Sequence, residues 1–351
     1  MIFDIPDIDE YARSLAHARW SACAHPLGGL GILETVIEDI AALTGSADIA
    51  LKPRTALILC ADNGVVSQGV TQTGNEVTAA VAKSIAKGVT SVCRMAEIAG
   101  CEVIPVDMGI KDFTCDPGVL NRRIGNGTSD ITLGAAMTRD DAERAIQTGI
   151  DLVRTEKEKG TRIIAAGEMG IGNTTTAAAV TSVLLGVPPE QVTGRGAGLS
   201  DDGLRRKIAS IGRAIDVNRP DPADPVDVLA KVGGYDIAGL CGMFIGGAEY
   251  RLPIIIDGAI TAAAALCAVR LAPGSENAMI ASHVSAEPSG KLLLEAIGKS
   301  PMITAGMRLG EGTGAVASLP LLDMALAVYS ESYTFSEGSI EPYIPLGGQT
   351  C

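Results

Sequence analysis

Short apolar runs, each about one strand long, alternate with longer helix-like stretches along most of this chain. That alternation restricts the fold more than any other feature. The runs are Ala56–Ala61, Glu102–Asp107, Arg162–Ala166, Pro253–Asp257, Ala278–Ser282 and Met302–Met307. Helical character occupies Glu76–Ala99, Arg139–Lys157, Thr174–Leu185, Gly203–Asn218, Gly258–Leu271 and Gly314–Tyr329. Strands that are apolar throughout need cover on both faces, so the expected fold is α/β, doubly wound on a mostly parallel sheet. Composition agrees: of 351 residues 47% are hydrophobic but only 3% aromatic, and 42 are Gly. Such a core is aliphatic, with closely packed helices.

The ends of the chain read differently. Residues 1–50 hold two helical stretches, around Asp9–Ala22 and Gly31–Leu43, and no good strand. The tail is rich in Gly and Pro. The expected division is an α/β domain over 51–325, with 1–50 and 326–351 joining as a small helical domain.

Charge and cysteine usage exclude several classes of function. A formal net charge of -13 repels nucleic acid and anionic membranes, so neither is an expected partner. Any phosphate must be held by a local site working against the overall field. The eight cysteines (Cys23, Cys60, Cys93, Cys101, Cys115, Cys241, Cys267 and Cys351) form no Cys-x-x-Cys pair and read as small buried hydrophobes in a reducing compartment. His17, His25 and His283 show no metal-ligand spacing, so no metal site is expected. The first residues are acidic where a signal peptide is basic, and no stretch reads as a transmembrane helix; a cytoplasmic location is expected.

In doubly wound sheets ligands bind beyond the carboxyl ends of the strands. The strongest segment there is Gly167-Glu168-Met169-Gly170-Ile171-Gly172-Asn173-Thr174-Thr175-Thr176, between a strand and an apolar helix. Glycines allow close backbone approach, and the free N–H groups of a helix start attract an anion. Neither a Walker A loop nor a full dinucleotide fingerprint is present. In Met307-Arg308-Leu309-Gly310-Glu311-Gly312-Thr313-Gly314, glycines on both sides expose the Glu311 carboxylate, and Arg308 places a cation at the sheet edge. Asp62-Asn63-Gly64, Asp107, Asp257-Gly258 and Ser282-His283-Val284-Ser285-Ala286-Glu287 add polar groups at the same edge. Each alone suits a turn or cap, and their convergence is the signal. Lys207 lies in a basic helix start that is ordinarily a solvated face; the sharper reading is a phosphate counter-charge.

These segments, together with Gly233-Gly234-Tyr235-Asp236-Ile237-Ala238-Gly239 and Pro288, resemble the nicotinate-nucleotide–dimethylbenzimidazole phosphoribosyltransferase family from about His25 to Phe335. The resemblance implies an α/β enzyme that forms a homodimer. It places the catalytic carboxylate at Glu311 and a second active-site carboxylate at Glu168. It places nucleotide binding at Gly170, Ile171, Gly172, Asn173, Lys207 and Arg308, with Asp257 and Ser285 nearby, and acceptor contacts at Met169, Leu309, Gln72, Asn75 and Ala80. No cofactor is implied. The substrates would be nicotinate mononucleotide and an aromatic base or phenol. The ring nitrogen of nicotinate leaves without a general acid, so the acceptor is the side needing help, and Glu311 can take its proton.

Three departures from the family pattern stand out. Asn63 occupies a position where His is expected, Ala80 one where Gln is expected, and residues 67–80 contain no aromatic ring. They admit a second reading, a non-catalytic subunit partnering a related chain. A dinucleotide-dependent oxidoreductase would need a glycine fingerprint after the first strand, where Cys60-Ala61-Asp62-Asn63-Gly64 stands instead.

Overall fold

The computed structural model describes residues 1–114 and 116–343. Cys115 and Cys351, and the last eight residues of the expected C-terminal segment, lie outside the described residues. The strands are β1 (Arg54–Ala61), β2 (Glu102–Gly109), β3 (Leu120–Asn121), β4 (Ile163–Met169), β5 (Ile254–Ile256) and β6 (Met279–Ala281). They form one sheet in the order β3-β2-β1-β4-β5-β6 with every pairing parallel. Strand order reverses between β1 and β4, which opens a crevice beyond their carboxyl ends.

Thirteen α-helices stand among the described residues. Before β2 come α1 (Glu10–Ala22), α2 (Ile32–Thr44), α3 (Glu76–Ala86) and α4 (Ser91–Ala99). Then follow α5 (Arg139–Lys159), α6 (Asn173–Leu185), α7 (Pro189–Val192), α8 (Asp201–Asn218), α9 (Pro225–Val232) and α10 (Tyr235–Glu249). The last are α11 (Ala259–Leu271), α12 (Ser289–Ala296) and α13 (Thr313–Glu331).

The period-two alternation of a strand divides the core in two. Leu57, Leu59 and Ala61 of β1 join a cluster with α5, α6 and α8–α12 on one face. Ala56, Ile58 and Cys60 join the opposite cluster with α3, α4 and α13. Burial of both faces is why β1 shows no polar alternation. The helices α1 and α2 meet the far end of α13 through Trp20, Ile37, Ala325 and Tyr329.

Several elements differ from expectation. Met302–Met307 is not a strand; only Ile303 makes an isolated bridge, to His283, and residues 304–306 are exposed. The sixth strand is instead the two-residue β3, too short to leave an apolar signal. The single helix expected over Glu76–Ala99 is broken at Gly88, whose φ is +71°. The helices α7, α9, α10 and α12 answer to none of the helical stretches named from the sequence. In α10 four glycines mimic a loop, yet they serve close packing: a Cβ on Gly149 of α5 would overlap the Gly239 carbonyl, and one on Gly242 would overlap the Ile146 carbonyl. The 19-residue α13 is long and apolar enough to cross a membrane, contrary to the sequence reading. One side of it is core: Ala315, Val316, Leu319 and Leu322 pack with Ile58 under the sheet, whereas Met324 is exposed. Five described cysteines are buried and Cys101 is half-buried, all with free thiols.

Candidate active site

The crevice holds a cavity of about 270 Å3. On its floor β4 ends at Glu168 and Met169, turns through Gly170–Gly172 and enters α6 at Asn173. The turn is pinned from below. Ile171 N–H donates to Thr78 Oγ1 at 3.1 Å, and that hydroxyl donates to Asp62 Oδ1 at 2.6 Å. Asn63 adds a tie, accepting from Thr176 Oγ1 at 3.2 Å. The N–H groups of Gly172 and Thr174 have no hydrogen-bond acceptor among the described residues, and both residues line the cavity. An anion at this helix start would meet those two donors and the positive end of α6.

Lys207 reaches the same place from α8. It is 1% exposed, and its Nζ donates to Thr174 Oγ1 at 2.8 Å and to the Gly194 carbonyl at 3.1 Å. An ammonium has three N–H groups, so one is left for a ligand. Burial lowers its pKa to about 8, opposed by the charge of Glu287.

Four carboxyl groups gather opposite. Glu168 is buried, and burial first, then Asp236, pushes its pKa up to about 8. Asn173 Nδ2 donates to Glu168 Oε2 and, at 3.0 Å, to Asp236 Oδ2. Asp257, after β5, caps the start of α13 by accepting from Gly314 N–H at 2.6 Å and Ala315 N–H at 3.0 Å. Burial raises the pKa of Asp257 against the pull of His283, and lowers that of His283. The His283 ring lies so close to Gly314 that a Cβ there would overlap it.

Glu311 sits just before α13 with φ +59°, between Gly310 at +83° and Gly312 at +77°. Three consecutive left-handed residues reverse the chain and bring Glu311 to the cavity lining. The glycines make this turn inexpensive, while Glu311 itself carries strain of the kind often found at functional positions. Burial, then Asp257, raises its pKa.

The remaining wall closes by side chain to backbone. Gln72 Nε2 donates to the carbonyls of Ala197 (3.4 Å) and Gly198, joining the segment after β1 to the loop before α8. Met169 and the half-exposed Leu309 supply apolar surface, and exposed Arg308 stands at the rim. Ser285 also lines the cavity, accepting from Glu287 N–H at 3.3 Å. Asn75 and Ala80, at the start of α3, fall outside the lining.

A phosphoribosyltransferase family model matches residues 5–340. A nicotinate-nucleotide–dimethylbenzimidazole phosphoribosyltransferase of Ruminiclostridium cellulolyticum is 46% identical over 98% of both chains. One of the same description from Acetivibrio thermocellus is 45% identical over 94% of both. The solved structure of CobT from Thermus thermophilus superposes with a TM-score of 0.89 at 38% identity, covering 94% of this chain and 99% of that one. The chain belongs to the nicotinate-nucleotide–dimethylbenzimidazole phosphoribosyltransferase family. It is therefore a phosphoribosyltransferase, and so a pentosyltransferase.

Within this family's fold, two side chains that sequence reasoning gave no role stand out. Asp236 lies behind the cavity on α10, and Thr174 supports Lys207. A signal for Asp236 existed: it is an acid in the first turn of a helix that is apolar on every side, which is costly unless the group is used.

Proposed function

We propose that this protein transfers the 5-phosphoribosyl group of nicotinate mononucleotide to an aromatic cobamide lower-ligand base, releasing nicotinate. The carrying observation is that the Glu311 carboxyl shares one cavity with the Lys207-backed start of α6. The nucleotide phosphate sits against Gly172 and Thr174 N–H and the free Nζ–H of Lys207. Fixing the phosphate fixes C1′ between Glu168 and Glu311, and positioning of this kind supplies much of the rate. The C1′–N bond breaks with its electron pair passing to the nicotinate ring nitrogen, which neutralises the pyridinium. The acceptor oxygen or ring nitrogen bonds C1′ through a lone pair from the opposite face, giving the α-riboside 5′-phosphate. The acceptor's proton, carried on the phenol oxygen or on the azole's other nitrogen, passes to Glu311.

The acceptor includes dimethylbenzimidazole and extends to phenol and p-cresol. The acceptor side offers Met169, Leu309 and Gln72 but no aromatic ring, and apolar size differences discriminate by only about 1–3 kcal/mol per methylene-sized step. A phenol, with a pKa of about 10 by analogy with Tyr, needs Glu311 within hydrogen-bond reach. The protein works as a dimer, with itself or a related chain. Incubation with nicotinate mononucleotide and either phenol or dimethylbenzimidazole, read by mass spectrometry, is expected to give both riboside phosphates. No phenolic product when phenol is offered alone would restrict the acceptor to benzimidazoles. Nucleotide binding with no product from any acceptor would favour the non-catalytic subunit.

A further inference from the structure

Asp236 is wholly buried, does not line the cavity, and leaves Oδ1 without a hydrogen-bond partner. Its Oδ2 accepts from the Asn173 amide that also holds Glu168. Its carboxyl lies beneath the phosphate turn, since a Cβ on Gly170 would come within 3.0 Å of Asp236 Oδ2. One amide nitrogen thus bridges two buried carboxyls, one facing the cavity and one behind it.

We propose that Asp236 is a positioning residue for phosphoribosyl transfer: through Asn173 it orients Glu168 and keeps that cavity-facing carboxyl in its acid form. The inference rests on reading this cleft as the transferase site. Two carboxylates joined by one neutral amide cannot both ionise cheaply in a buried site, so the pair retains a proton. The charges that bear most strongly on it do not relieve this. Asp257 and Glu311 act on Glu168, and Asp62 acts on Asp236; Lys111 faces Asp62, and His283 faces Asp257. Burial raises both carboxyls, and Glu168 alone also faces Asp257 and Glu311, so the proton resides on Glu168 at neutral pH. Glu168 Oε2 faces the Asn173 donor, which leaves Oε1, beside Gly310, as the protonated oxygen. Glu168 then donates a hydrogen bond to an oxygen of the bound nucleotide, and Glu311 is left as the proton acceptor.

The test is a double-mutant cycle with a pH profile. Asp236→Asn is expected to lower kcat on the order of 10²-fold through misplacement of Glu168. It is also expected to move the alkaline limb of kcat, read at saturating nucleotide, down by about one pH unit, because loss of the Asp236 charge makes Glu168 a stronger acid. In a Glu168→Gln background the same substitution is expected to cost nothing further. Equal, additive losses with an unmoved alkaline limb would mean a purely structural Asp236 and overturn the proposal. A second measurement covers the case in which Asp236→Asn does not fold. Infrared difference spectra of the unliganded wild-type protein at pH 7 are expected to show a protonated-carboxyl stretch that disappears in Glu168→Gln. Its absence overturns the proposal. That spectrum needs no turnover, so it separates failure of this inference from failure of the functional reading.

Discussion

Gly310 lies directly against the carboxyl of Glu168: a Cβ added to Gly310 would stand 2.7 Å from Glu168 Oε1. The turn that carries Glu311 is therefore seated on the other cavity carboxyl, and the two acids are placed by a contact that only glycine allows. Gly310→Ala is expected to cost about 1–3 kcal/mol of local strain at φ +83° and to displace Glu168. The loss should appear as a kcat reduced on the order of 10²-fold with only a modest fall in melting temperature. Wild-type kcat in this variant would show that the contact does not set the site.

Glu311→Gln is expected to lower kcat by about 10²–10⁴-fold while nucleotide affinity stays near wild type. Steady-state kinetics and calorimetric titration with nicotinate mononucleotide separate the two. Retained turnover would transfer the base to Glu168 and contradict the proton placement inferred above.

Lys207→Ala is expected to raise KM for the nucleotide on the order of tenfold, in line with losing a charge-assisted hydrogen bond of about 1.5–3 kcal/mol, with little effect on KM for the acceptor. A pH dependence follows from the lysine pKa near 8. As pH rises through 8 the ammonium loses its charge, and nucleotide affinity falls. Stability moves the other way. The unfolded chain binds more protons between pH 8 and the ordinary lysine value of about 10.4, so the Lys207 contribution rises with pH across that window. Equal effects on both KM values would remove Lys207 from the phosphate site.

Glu168→Gln is expected to raise the melting temperature at pH 9 relative to wild type, and to change it little at pH 5. The folded pKa of about 8 exceeds the ordinary carboxyl value. The stabilising contribution of Glu168 is therefore present in acid and is lost as pH rises through 8, where a buried charge must form. Removing the ionisable group removes that cost. A melting difference that does not change between the two pH values would mean that Glu168 does not titrate in this range.

Much of this site was legible in the sequence because its chemistry sits in contiguous segments. Glu168 and the turn to Asn173 follow one strand, and Glu311 stands between two glycines. What escaped depends on contacts between distant segments. Asp236 meets Asn173 across 63 positions, and Thr78 meets Ile171 across 93. The fold shows the same division. β1, β2 and β4 are long, apolar and visible; β3 holds two residues and carries no pattern. Met302–Met307 has strand-like composition, but it follows the sheet's last edge strand and finds only one bridging partner. In α10, glycines that would break an isolated helix are compatible with one because α5 covers them.

That seam between α5 and α10 reaches beyond packing. The two helices touch backbone to backbone at Gly149 and Gly242, with no side chain between them to shift and absorb a displacement. Asp236 stands less than two turns upstream of Gly242 on the same rigid rod. A single methyl group added at Gly242 would push the whole helix away and carry Asp236 with it. With Asp236 in its proposed positioning role, the acidity of the cleft is set partly from the interior, so a mutation that never approaches substrate would detune the enzyme's working pH while leaving every cavity-lining residue in place.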